Sequence, residues 1–187
     1  MVEQMTTIAR VELDQVPLLA RPYFADGDPG PIVRSLAQVP ELLTVALPFI
    51  GAALGPSAIS FRAKEIVIVR TSALAGCRFC VQTHAVVALE AGLTSDQVAA
   101  LQSCGPTDEA FPDPRERALL RWIDVVAGGG PVSDDERATV LRSWSDHEVV
   151  ELTAVVGTTL MLNRYATALA LPTAPEAVER LAQEGLL

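Results

Sequence analysis

Two thiols and an imidazole share one short stretch of this chain, Cys77-Arg78-Phe79-Cys80-Val81-Gln82-Thr83-His84. If the stretch is helical, a turn of about 100° per residue brings Cys77, Cys80 and His84 within an arc of roughly 60°. A thiol becomes a nucleophile only when it loses its proton. His84 offers a base one helical turn from Cys80. Gly76 breaks the preceding pattern, so Cys77 is expected at the start of a helix running from Cys77 to Ala91. Free N–H groups and the positive helix end favour a thiolate there. Two such thiols can cycle between dithiol and disulfide. The same residues also fit a zinc site of two Cys and one His with Glu65 as fourth ligand, or two inert buried cysteines.

Glu65 lies eleven residues before Gly76, and His84 lies eight after it. At about 1.5 Å per residue these are roughly 16 and 12 Å from the bend. A helical hairpin at Gly76 would bring Glu65 nearly level with His84. On one continuous helix Glu65 would lie about 18 Å from Cys77, out of reach. A carboxylate beside a histidine orients the ring and stabilises its protonated form. The expected proton route runs from Cys80 through His84 to Glu65. Taken alone, Glu65 would also fit an ordinary ion pair with Arg62, three residues earlier.

Elements that could hold this arrangement are legible on both sides of it. Ser60 caps a helix expected over Phe61 to Leu74, despite the strand-favouring Ile66-Val67-Ile68-Val69, because the flanking residues extend the pattern to helical length. Gly92 closes the cysteine helix. Thr94 with Gln97, and Ser133 with Glu136, read as capping boxes of the next helices. Asp113-Pro114 opens another helix, stopped by Gly128-Gly129-Gly130-Pro131. Ser145 or Asp146 opens a long helix to about Leu171, and Pro175 to Glu184 closes the chain. Upstream, Pro31 to Ala37 and Glu41 to Leu54 are expected helices. Residues 1–30, rich in turn formers, read as an irregular arm on a helical domain over 31–187. The expectation is an all-α, single-domain antiparallel fold of eight or nine helices.

The 187 residues are half hydrophobic but only 5% aromatic, and mean hydropathy is +0.32. Ala, Val and Leu suit tightly packed helices. The surplus apolar surface points to a homo-oligomer. A formal charge of -9 and the lack of any Lys/Arg cluster argue against nucleic acid as a partner. Leu42 to Ile59 carries no charge but is interrupted by Pro48, Gly51, Gly55 and Pro56. It reads as a buried helix pair or interface helix rather than a membrane span. Three cysteines do not make a secreted disulfide framework, and Met1 to Arg10 lacks the apolar centre of a secretory leader. A cytoplasmic protein is expected. Cys104 reads as structural, His147 as surface or interface, Trp122 and Trp144 as core or interface anchors, and Asn163 with Arg164 as members of a buried ion pair.

Glu65, eleven residues, then Cys77-x-x-Cys80-x-x-x-His84 resembles the active-site signature of the alkylhydroperoxidase D-like proteins of the carboxymuconolactone decarboxylase superfamily. The resemblance spans Phe61 to Leu93 and reaches weakly to Asn163-Arg164. It implies an all-helical homo-oligomer that reduces hydroperoxides. It further implies that Cys80 is the attacking thiolate, Cys77 the more exposed resolving thiol, and His84 and Glu65 the proton relay. The oxidised pair would condense to a disulfide, reduced by an external dithiol of lipoyl or thioredoxin type. No metal or organic cofactor is implied. The chain departs from the best-known members at Phe79, where they carry a histidine, and so lacks that auxiliary proton-handling group. Arg78 instead sets a cation beside the thiols. Within the same superfamily the alternative is a decarboxylase-type lyase. Outside enzymes, it is a redox-sensing or zinc-binding oligomer.

Overall fold

The computed structural model describes residues 6–103 and 105–187. Its regular structure, among the described residues, is entirely helical: nine α-helices and one 3-10 segment. In chain order these are α1 (Pro31–Leu36), α2 (Pro40–Leu54), α3 (Phe61–Leu74), α4 (Arg78–Glu90), α5 (Ser95–Gln102), α6 (Pro114–Gly128), α7 (Asp134–Leu141), α8 (Asp146–Ala168) and α9 (Pro175–Gln183). Ser60, Thr94, Asp113, Ser133 and Ser145 each accept a backbone N–H at a helix start. Each satisfies a donor that the helix itself cannot.

Helix α3 is the axis of the fold. Every residue from Ala63 to Ser72 is buried, and the helix packs against α4, α5, α6 and α8. This explains its sequence. A helix covered on all sides loses its polar stripe, so Ile66-Val67-Ile68-Val69 is apolar all round, and tertiary burial overrides strand propensity. Three ionisable residues are buried with it, each paired to a different neighbour. Lys64 Nζ lies 2.8 Å from Glu151 on α8, Glu65 meets His84 on α4, and Arg70 holds Asp124 on α6 through two contacts of 2.7 and 3.1 Å. Such pairs tie α3 to three helices at fixed registers, since a buried charge left alone is costly.

The main core lies around α3, with Phe111, Leu119, Ile123, Leu152 and Val155 fully buried. Trp122 and Trp144 belong to it, and their indole N–H groups donate to Thr153 Oγ1 and the Arg115 carbonyl. A smaller cluster joins Val11, Ala20, Leu36 and Leu43.

Some expectations need correction. Residues 6–30 are not an irregular arm throughout: Leu18–Phe24 forms the 3-10 helix and packs on α2. The segment is also tied down by backbone bonds from Thr7 to Leu169 and from Val11 to Arg34. The Leu42 to Ile59 stretch forms one helix ending at Leu54, not a helix pair. Leu43 alone of that helix is fully buried, whereas Leu42, Val45 and Phe49 form an exposed apolar stripe. No described helix is long and apolar enough to cross a membrane. The long helix α8 ends at Ala168 rather than near Leu171, because Ala170 turns left-handed with φ +51 and closes it. Cys104 lies outside the described residues.

Candidate active site: a dithiol turn facing a carboxylate–imidazole pair

The turn between α3 and α4 follows from one residue without a side chain. Gly76 has φ +66, a conformation that other residues adopt only with strain. Its N–H bonds to the Ala73 carbonyl, and the Cys77 N–H bonds to the Ser72 carbonyl at 3.0 Å. This paired closure ends α3 and reverses the chain at once. Cys77 is therefore not the first residue of α4 but the capping residue just before it. Its Sγ accepts the backbone N–H of Cys80 at 3.4 Å, in the place where serine or aspartate usually serves.

The hairpin brings Glu65 and His84 together. His84 Nδ1–H donates to Glu65 Oε2 at 3.0 Å, with Glu65 buried and His84 half-buried. This fixes the ring and leaves Nε2 as the basic nitrogen. Glu65 does not pair with Arg62, which instead reaches Glu116 at 2.7 Å and the Gly92 carbonyl. Among the described residues, no three His, Cys, Asp or Glu side chains converge as metal ligands would.

The two sulfurs are not equivalent. The Cys77 thiol is lowered to about 6, chiefly because the Cys80 side chain donates to it, against a desolvation that pushes it up. The Cys80 backbone N–H and the side chains of Thr167 and Asn163 add to the lowering. The Cys80 thiol is raised, first by that same bond to Cys77 and then by burial. The place of Cys77 at the positive end of α4 thus favours negative charge on Cys77 over Cys80.

Access follows the same division. Cys77 lines a cavity of about 360 Å³ with Phe79, Ala166, Thr167 and Leu171. It also lines a second, of about 590 Å³, on the side of Val81 and Gln82. Cys80 lines neither. Both sulfurs are nonetheless buried in the single chain, Cys77 at 1% exposure and Cys80 at 6%, so Cys77 is not the more exposed thiol.

Asn163 is buried near the sulfurs and donates to Ser72, but Arg164 is exposed, and no ion pair joins the two. The reason is helical phase, which points adjacent residues of α8 about 100° apart. His147 is exposed and lies 3.9 Å from Glu151. Thr167 and Ser72 had no signal in the sequence. Their part depends on where α8 crosses the hairpin.

Residues 40–125 match the model of the carboxymuconolactone decarboxylase family, a span that contains the whole α3–α4 hairpin. The fold is shared with an alkylhydroperoxidase AhpD core protein, an uncharacterised peroxidase-related protein from Ralstonia eutropha JMP134. The two are 17% identical, with a TM-score of 0.83 over 94% of this chain and 96% of that one. Residues 40–125 thus carry the carboxymuconolactone decarboxylase pattern on a fold shared with alkylhydroperoxidase D-like proteins. An uncharacterised protein, YdfG of Bacillus subtilis, is 24% identical over 115 residues, 60% of this chain and 77% of its own. The debrominase Bmp8, solved with 2,3,4-tribromopyrrole, has the same fold at 16% identity, with a TM-score of 0.77 over 97% of this chain and all of that one. Alkylhydroperoxidase D-like architecture therefore carries more than one chemistry. The family match over residues 40–125 supports an enzyme of peroxidase-related or carboxymuconolactone decarboxylase type in general terms.

Proposed function

We propose that this protein is a thiol-dependent peroxidase that reduces hydroperoxides through Cys77 and Cys80, with His84 and Glu65 moving the proton. The observation that carries this reading is the dithiol turn, in which Cys77 Sγ accepts the Cys80 N–H at 3.4 Å, followed one helical turn beyond Cys80 by an imidazole fixed by Glu65 at 3.0 Å.

The resemblance implied attack by Cys80, whereas the helix start at Cys77 and the two cavities that Cys77 alone of the pair lines favour attack by Cys77. In the reading adopted here, the Cys77 thiolate attacks the outer oxygen of a hydroperoxide. The O–O bond breaks, the alkoxide leaves and takes a proton from solvent, and Cys77 becomes a sulfenic acid. His84 Nε2 then takes the Cys80 proton, and the Cys80 sulfur attacks the Cys77 sulfur. Hydroxide departs and regains that proton from His84 as water, leaving the disulfide. Glu65 stabilises the imidazolium formed in between. An external dithiol exchanges with the disulfide and is itself oxidised, which restores both thiols.

A protein reductant of lipoyl or thioredoxin type is the expected donor, and a reducing cytoplasm suits a pair that must be returned to thiols. The exposed stripe Leu42, Val45 and Phe49 supports self-association.

The test is peroxide consumption by the reduced protein with an added dithiol, together with dimedone trapping of sulfenic acid. Cys80→Ser is expected to accumulate the trapped adduct on Cys77, and Cys77→Ser to lose turnover. An adduct on Cys80 in the Cys77→Ser protein would restore the opposite order. No consumption by the wild type would remove the peroxidase reading.

A further inference from the structure

Arg78 and Phe79, the two residues between the cysteines, both line the cavity of about 360 Å³ at Cys77. Phe79 packs with Ala166 and Leu171 in the small apolar cluster that also holds Cys77 and Cys80. With Ala170, and Thr167 apart, these side chains wall the cavity largely with carbon. At roughly 30 Å³ per water-sized unit, its volume takes an aryl or alkyl group of about ten non-hydrogen atoms beside the sulfur.

Arg78 is the charged exception. It is exposed, it opens α4, and it lines the second cavity of Cys77 as well as the first. The chain carries 23 acidic against 14 basic side chains, yet no acidic side chain among the described residues lines either cavity. Three other cations of the hairpin's first helix are engaged: Arg62 with Glu116, Lys64 with Glu151 and Arg70 with Asp124. Arg78 makes no hydrogen bond or ion pair among the described residues. An unpaired guanidinium in the first turn of a helix adds its charge to the positive helix end, and its planar fork suits a carboxylate.

We propose that the substrate at Cys77 is a carboxylate-bearing organic hydroperoxide, its aryl or alkyl body against Phe79 and Leu171 and its carboxylate on the Arg78 guanidinium. This deepens the peroxidase reading and rests on it for the peroxide, whereas binding of an apolar carboxylate needs no turnover. Phe79 then supplies a wall for the substrate rather than a proton.

The experiment measures how well para-isopropylbenzoate and its neutral analogue para-isopropylbenzamide protect Cys77 of the reduced protein from iodoacetamide. It is run at about pH 7, where the carboxylate is ionised, and read by peptide mass spectrometry. The acid-to-amide ratio within one protein cancels any effect of Arg78 on the thiolate itself. In the wild type the acid is expected to protect at about tenfold lower concentration, the size of one charge-assisted bond. Arg78→Gln is expected to bring the ratio close to one, and Arg78→Lys to keep part of it. Phe79→Ala is expected to weaken acid and amide alike. Equal protection by acid and amide in the wild type, an acid preference that survives Arg78→Gln, or acid protection untouched in Phe79→Ala would overturn the proposal. Turnover is compared with cumene hydroperoxide and its para-carboxy derivative, and the preference in kcat/KM for the charged peroxide is expected to follow Arg78 in the same way. If neither peroxide is consumed while the acid protects through Arg78, the peroxidase reading fails and the carboxylate site stands.

Discussion

Cys77 Sγ accepts the backbone N–H of Cys80 at 3.4 Å, so one cysteine of the pair caps the helix that carries the other. Reduction of the pair therefore places charge where α4 already has unpaired donors and positive potential. Alkylation of Cys77 is expected to follow a midpoint near 6, well below the ordinary thiol value of about 8.5. A midpoint at or above the ordinary value would show that the cap does not hold a thiolate.

The same lowering has a stability consequence with a definite sign. Between about 6 and about 8.5 the unfolded chain keeps the Cys77 proton that the folded chain has lost. Stability contributed by Cys77 therefore grows as pH rises through that window, and is lost as pH falls through 6. Cys80, raised in the fold, acts oppositely: its contribution is lost as pH climbs above the unfolded thiol value. Denaturant midpoints of reduced wild type and Cys77→Ser should diverge between pH 6 and 8.5. Parallel curves would contradict the assignment of charge to Cys77.

His84 is expected to act on Cys80 rather than on Cys77. His84→Gln should leave the alkylation midpoint of Cys77 nearly unchanged. It should slow closure of the disulfide from the sulfenic acid by about 10²- to 10⁴-fold. Glu65→Gln keeps the shape but removes the charge behind the ring, and a smaller loss of about tenfold is expected. Rapid-mixing kinetics on a single oxidation resolve the two steps. Equal slowing of sulfenic acid formation and closure would place His84 on the first step instead.

Much of this geometry was legible in the residues. Gly76 signalled the reversal, and counting eleven residues back and eight forward put Glu65 level with His84. Ser60, Thr94, Ser133 and Ser145 announced their helices by local capping chemistry that needs no tertiary information. The polarity of the dithiol was legible only in part, from the helix start at Cys77. It depends on Cys77 standing one residue outside α4, a distinction of a single position that helical periodicity does not resolve. Nor does the sequence show that Asn163 and Thr167 arrive beside the turn from α8, some ninety residues later. Arg164 misled for the reverse reason, because its neighbour's burial says nothing about its own direction on a helix.

Lys64 tests the idea that α3 is the axis of the fold. Its Nζ bonds the Ala53 and Gly55 carbonyls at the end of α2 as well as Glu151 on α8. Lys64→Met fills the space but strands all three acceptors, and a loss of about 2–4 kcal/mol is expected by denaturant unfolding. A loss under about 1 kcal/mol would mean that water replaces the ammonium there.

Ala170 offers a change in the other direction. It holds φ +51 to close α8, with Leu171 N–H bonded to the Ala166 carbonyl at 3.0 Å. Ala170→Gly relieves the left-handed strain and should stabilise the fold by about 1 kcal/mol. Unchanged or lower stability in the same unfolding assay would show that the turn is unstrained.

The central claim is that Cys77 and Cys80 together deliver two electrons to a hydroperoxide. It is tested most directly by adding one equivalent of cumene hydroperoxide to the reduced protein without any other thiol. The account predicts loss of the peroxide, one Cys77–Cys80 disulfide per chain in the peptide mass spectrum, and recovery of both thiols on adding a dithiol. Peroxide left intact with both cysteines still alkylatable, or consumption that persists in a Cys77→Ser/Cys80→Ser double variant, would contradict it.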